Sequence, residues 1–188
     1  MRQLQMIKSL SYLFFFGASI VLSVLFYNST INAKETELDS QIVSTGKCSY
    51  SLTLTANASK EVIWQLWEDV ENWKTYDTVI QYSYLENEAE FAVGATGYVK
   101  TKGAPRTKFE LTEVDTGNSF VEKLKLPFWS SLDLKRRVVI VDSNTVAFTH
   151  EVEFKGQFKG LMYSLLAKRF KKDLKKVMIN MKTLAEKQ

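Results

Sequence analysis

Apolar residues recur at intervals of three and four along the last thirty residues of the chain. They are Phe158, Leu161, Met162, Leu165, Leu166, Phe170, Leu174, Val177, Met178, Met181 and Leu184. That spacing places them on one stripe of a long helix. No proline interrupts the run, and Gly156 and Gly160 lie only at its start. Upstream the period changes to two. SYSLTLT puts Tyr50, Leu52 and Leu54 on one face and reads as strand one. Asn57-Ala58-Ser59 supplies a helix start, and residues 61–67 follow as a short helix. EDVENWKTYDTVI reads as a second short helix running into strand two, IQYSYLE. Strands three to seven are expected near 97–101, 108–114, 119–126, 132–141 and 145–154, with turns at 115–118, 127–129 and 142–144. A lone amphipathic helix needs a wide apolar surface to cover, and a curved antiparallel sheet provides one.

Strand alternation assigns side chains to faces. In strand seven, Val146, Phe148, His150, Val152 and Phe154 share the side that must meet the helix. In strand six the apolar face is Leu132, Leu134, Val138 and Ile140 with Arg136 among them; in strand five it is Phe120, Leu124 and Leu126 with Glu122 among them. A hairpin centred on Trp129 sets Glu122 opposite Arg136 and Leu124 opposite Leu134. One centred on Ser143 sets Arg136 opposite His150 and Val138 opposite Phe148. Glu122, Arg136 and His150 then form one polar row on the concave face. A charge there is costly unless paired, so a Glu122–Arg136 ion pair is expected with His150 beside it. Such a row can be a structural ion pair, a polar anchor for a ligand's carboxylate, phosphate or hydroxyl, or a proton-transfer site using His150.

The stretch AxxEVIWQLWEDVENWKTYDTVI after strand one carries Ala58, Val62, Trp64, Leu66, Asp69, Trp73 and Tyr76. With the element order, this resembles the SRPBCC superfamily, the START-like helix-grip fold, and its polyketide cyclase/dehydrase and lipid-transport-like branch. The resemblance covers about residues 48–186. It implies an α+β helix-grip: a seven-stranded curved antiparallel sheet wrapped around a long C-terminal helix, with two short helices after strand one and a cavity between sheet and helix. In such a fold Met162 and Leu166 would line the pocket as well as pack on the sheet. Trp73 and Tyr76 join them in the expected ligand-binding set with Glu122, Arg136 and His150. Phe128 and Trp129, behind Pro127 at a loop tip, could gate the cavity or dip into a bilayer.

The amino terminus adds a location. Arg2 and Lys8 precede an apolar run at 10–27, with Ile31-Asn32-Ala33 as a tolerable cleavage site. Residues 1–33 therefore read as a signal peptide or membrane anchor, 34–47 as a polar linker and 48–188 as the folded domain, exported to an extracytoplasmic space. From Lys155 onward ten Lys/Arg face two acids, while residues 34–154 carry a net −6. That basic helix either complements the acidic remainder or rests on anionic lipid. Nucleic acid is disfavoured by the acidic bulk and by the lack of a recognition motif. A single cysteine, Cys48, and a single histidine argue against a disulfide framework or a zinc site, and no metal or cofactor is expected. The chain has no GxSxG, glycine-rich phosphate loop or HExxH. The expected partner is a hydrophobic small molecule or lipid. Alternatives are a cyclase/dehydratase-type enzyme using His150, or a module docking on a membrane surface through Phe128, Trp129 and the 168–176 face.

Overall fold

A computed structural model describes residues 42–188. The leader or anchor read at 1–33, and most of the linker, lie outside them. Eight strands form one antiparallel sheet: β1 (Ile42–Gly46), β2 (Ser49–Ala56), β3 (Ile80–Leu85), β4 (Thr96–Thr101), β5 (Arg106–Asp115), β6 (Ser119–Leu126), β7 (Ser130–Ile140) and β8 (Val146–Gly156). Their spatial order is β1-β2-β8-β7-β6-β5-β4-β3, so β8 returns beside β2 and the expected helix-grip arrangement is present. Between β2 and β3 lie α1 (Lys60–Glu68) and a 3₁₀ turn, Val70–Thr75. The long helix α2 spans Lys159–Ala185.

Among the described residues the strand count is eight rather than seven. β1 falls inside the stretch read as a linker and pairs with β2 through Ile42↔Leu52 and Ser44↔Tyr50. Of its five residues only Ile42 is even half-buried, so an exposed edge strand left no alternation to read. The second short helix is a single 3₁₀ stretch. It is fixed by buried bonds from the Trp73 indole to the Trp67 carbonyl (2.8 Å) and from the Ser83 hydroxyl to the Val70 carbonyl (2.6 Å).

α1 starts where Ser59 caps it, accepting from the Val62 amide at 3.4 Å. Its buried face, Ile63, Trp64 and Trp67, lies over β7, while α2 lies over β2 and β8. The concave side is packed with Trp67, Trp73, Phe109, Phe120, Phe148, Phe154, Met178 and Met181, each less than 2% exposed. Asn180 ties α2 to the 3₁₀ segment by donating to the Tyr76 carbonyl at 2.9 Å.

Two face assignments shift. All five inward residues of β8 are buried, as the alternation requires. In β7, however, Ile140 is exposed because it sits at the strand's end beyond the cover of α1. In α2 only part of the stripe meets the sheet at its first turns, where Met162 is buried and Tyr163 packs against Phe154 at 5.5 Å. Met162, Leu174, Val177, Met178 and Met181 are buried, but Phe158, Leu161 and Leu165 face solvent. On the convex side, Lys135–Glu153 and Lys155–Asp133 pairs, both 2.8 Å, bridge neighbouring strands.

Candidate functional site

The three polar residues converge in the middle of the concave face. β7 and β8 pair Arg136↔His150 and Val138↔Phe148, the expected register. β6 and β7 do not pair as expected. Glu122 lies opposite Leu134, and Arg136 opposite Phe120, because the hairpin centres on Phe128 rather than Trp129. The slip is two residues along the partner strand, and two is the side-chain period, so every residue keeps its face. Glu122 and Arg136 thus meet diagonally instead of directly, with Arg136 Nη1 3.1 Å from Glu122 Oε2.

The pair is enclosed. Glu122 is 2% and the Arg136 side chain 10% exposed. The guanidinium carbon stands 5.0 Å from the centroid of Phe120 and 5.1 Å from that of Trp73, within cation–π range. The His150 ring lies 5.8 Å from Trp67, which packs 5.7 Å from Phe120. Tyr76 and Asp77 close the cluster from the end of the 3₁₀ segment, both within the electrostatic reach of Arg136.

Charges in this dry setting are displaced from their usual behaviour. Burial pushes the Glu122 carboxyl pKa up, against the pull of the Arg136 charge and hydrogen bond. Burial, reinforced by Arg136, holds His150 well below the ordinary histidine range, so its imidazole is neutral at physiological pH. Burial pushes Asp77 up to about 6, opposed by the Val79 amide and Arg136 and reinforced by Asp173. The cluster therefore holds one permanent cation, two carboxyls pushed towards protonation and one neutral imidazole.

Several polar atoms in it have no partner: Arg136 Nε, His150 Nε2, the Tyr76 hydroxyl and Trp67 Nε1. Buried groups of this kind normally find one, and each left unmade costs about 1–3 kcal/mol. Here three donors or potential donors and an imidazole nitrogen share one aromatic enclosure. Among the described residues no three His, Cys, Asp or Glu side chains are placed to hold a metal.

Of the other residues singled out from sequence, Trp73 and Tyr76 belong to the enclosure. Met162 is buried and Leu166 half-buried, and both belong to the apolar layer of α2. Phe128 and Trp129 stand apart at the β6–β7 turn, seven strand positions from Arg136 to Trp129 and hence about 20 Å away. Sequence reasoning passed over Trp67, Phe120 and Asp77 as site residues. Trp67 follows Trp64 by three on α1's inner face, Phe120 sits two before Glu122 on the same strand face, and Asp77 directly follows Tyr76. Of the three, only Phe120 was marked by a face it shares with a chosen residue; Trp67 and Asp77 join the site through their tertiary placement beside His150 and Arg136. A surface hollow lies at the outer side of α1, lined by Lys60, Glu61, Trp64, Gln65, Glu68 and Gly117. Trp64 connects it to the enclosure, its ring centroid 6.3 Å from that of Trp67.

Residues 47–186 match the family described as polyketide cyclase / dehydrase and lipid transport. The chain belongs to that family, the branch that its sequence resembled. No curated protein matches it in sequence. Among solved structures it is similar to a START superfamily protein from Mycobacterium smegmatis, with TM-score 0.59, 10% identity and coverage of 74% of this chain and 97% of the other. A hypothetical protein from Helicobacter pylori gives TM-score 0.62 at 11% identity, covering 83% and 98%. An aromatase/cyclase from a Streptomyces species gives 0.59 at 11% identity, covering 73% and 93%. At these identities the likeness is one of fold.

Proposed function

We propose that this domain binds and carries a hydrophobic small molecule, a lipid or a comparable apolar compound, bearing one oxygen-containing polar group. The apolar body would take space between the sheet and α2, and the polar group would sit at Arg136. The observation that carries this reading is the set of unpartnered atoms around a buried ion pair. Arg136 Nε, the Tyr76 hydroxyl and Trp67 Nε1 can all donate, and His150 Nε2 can accept or donate according to its tautomer. An acceptor-rich group such as a carboxylate would satisfy donors that are otherwise left bare, while the aromatic walls bury the remainder. The family description, which includes lipid transport, supports the same ligand class.

The test uses a long-chain fatty acid and the matching alcohol as probes, with Glu122→Gln/Arg136→Leu as the variant, since it strands no buried charge. The acid should bind at least tenfold more weakly to the variant, about 1.4 kcal/mol, and the alcohol nearly unchanged. Equal losses for both would refute an anchoring role for Arg136.

One observation favours a second reading. A neutral imidazole with a free nitrogen, held next to a guanidinium, suits proton transfer at a carbonyl-bearing substrate whose oxyanion Arg136 would stabilise. In that reading His150→Ala abolishes turnover of such a substrate while binding persists. The apolar run at 10–27, preceded by Arg2 and Lys8, supports an extracytoplasmic location for either activity, as a secreted or membrane-anchored protein.

A further inference from the structure

The end of the molecule formed by the β6–β7 turn and the start of α2 gathers exposed aromatic and aliphatic side chains. Trp129 is 81% exposed, and Phe128, Phe158, Leu161 and Leu165 are exposed around it. The rings of Phe128 and Trp129 each lie 6.5 Å from that of Phe158, so turn and helix present one apolar patch. Both turn aromatics occupy left-handed backbone, with φ of 58° at Phe128 and 50° at Trp129. Bulky residues rarely adopt it, and such strain persists only where the surroundings enforce it. They do so here. The Ser130 hydroxyl donates to the Phe128 carbonyl at 3.2 Å and the Gln157 amide to the Trp129 carbonyl at 3.3 Å. Gly156 leaves room for that carbonyl, which a Cβ would approach to 2.2 Å. The fold thus holds a tryptophan out into solvent.

Charge around the patch has one sign. Residues 123–132 and 154–172 contain no Asp or Glu, and Lys125, Lys159 and Lys168 are exposed within them. Leu161, Leu165 and Lys168 follow at intervals of four and three, along one stripe of α2. From Leu161 to Lys168 the helix climbs about 10 Å, the depth over which an interfacial element passes from acyl chains to headgroups. A second copy of this chain would suit the patch poorly, because an isologous contact would set the lysines against themselves.

We infer that this tip inserts into an anionic lipid bilayer, with Trp129, Phe158, Leu161 and Leu165 at the acyl boundary and Lys125 and Lys168 on the headgroup phosphates. The inference is independent of what the interior binds. It is tested with the full chain on vesicles of brominated phosphatidylcholine, alone or mixed two to one with phosphatidylglycerol. Bromine quenches a tryptophan only at close range. Trp64, Trp67 and Trp73 are buried, and subtracting a Trp129→Gly variant isolates the signal of Trp129. Glycine accepts the left-handed conformation, so that variant keeps the turn.

At least half of the Trp129 emission should be quenched on the anionic vesicles, and little of it on the neutral ones. Lys125→Glu/Lys168→Glu, with an unchanged melting temperature, should bind the anionic vesicles at least tenfold more weakly. The inference is overturned if Trp129 stays unquenched on anionic vesicles that carry the chain, since contact would then be made elsewhere, as by the apolar run at 10–27. A dimer in sedimentation velocity that Trp129→Gly dissolves, without quenching, would assign the patch to a second copy and overturn it equally.

Discussion

Removing Arg136 while leaving Glu122 in place strands a carboxylate that is 2% exposed and whose recorded ion-pair partner is that guanidinium at 3.1 Å. Breaking a buried pair from one side typically costs about 3–5 kcal/mol, whereas replacing both partners by neutral groups is often near neutral. Arg136→Leu should therefore be about 3–4 kcal/mol less stable at pH 8 than Glu122→Gln/Arg136→Leu. Both variants lack Arg136, so their difference reports the Glu122 carboxylate together with its repulsion from Asp77.

The sign with pH follows from the raised pKa of Glu122. Removing Arg136 takes away the charge that opposed the rise, so the folded state of the single variant holds its proton to higher pH than the unfolded state does. The folded state then binds more protons in that window, and stability falls as pH rises through it. The deficit is fully present above the folded pKa and is relieved as pH falls towards the unfolded value. One proton allows at most about 1.4 kcal/mol per pH unit, so closing the gap takes about two to three units. Urea unfolding across that range measures it. With a slope of about 2 kcal/mol per molar, the midpoints should differ by roughly 2 M at pH 8 and converge in acid. A gap below about 1 kcal/mol at pH 8, or one that does not narrow as pH falls, would refute the picture of an enclosed, paired carboxylate.

Two further outcomes follow from single contacts. Trp73→Phe keeps the aromatic volume but leaves the buried Trp67 carbonyl without its donor, and should cost about 1–3 kcal/mol in chemical denaturation. Gly156→Ala places a Cβ 2.2 Å from the Trp129 carbonyl at φ +94°, and should cost on the order of 3 kcal/mol, read as a fall in melting temperature.

What the chain disclosed in advance was whatever period and burial write into it. The inward set of β8 was readable because all five of its residues are apolar or, as His150, enclosed among apolar ones. The polar row was readable for the same reason, and its composition survived a register slip of two because parity, not exact pairing, assigns faces. β1 was invisible because four of its five residues face solvent. The unexpected exposure of Phe158, Leu161 and Leu165 follows from which side of α2 meets the sheet at its first turns: Met162 is buried and Tyr163 packs there against Tyr50 and Phe154, and the other side is left to solvent. Helical periodicity reports a stripe and not what covers it. Asp77 and Trp67 became site residues only through tertiary placement beside Arg136 and His150, which no local pattern encodes.

Native mass spectrometry of the protein purified intact, followed by solvent extraction of whatever it holds, tests most directly the claim that its interior receives an apolar ligand at Arg136. The expected result is an adduct that dissociates as an apolar molecule with an acidic or acceptor-rich group, and that is missing from Glu122→Gln/Arg136→Leu. Adduct-free protein that also takes up neither the fatty acid nor the alcohol, or an adduct retained unchanged by the double variant, would contradict it.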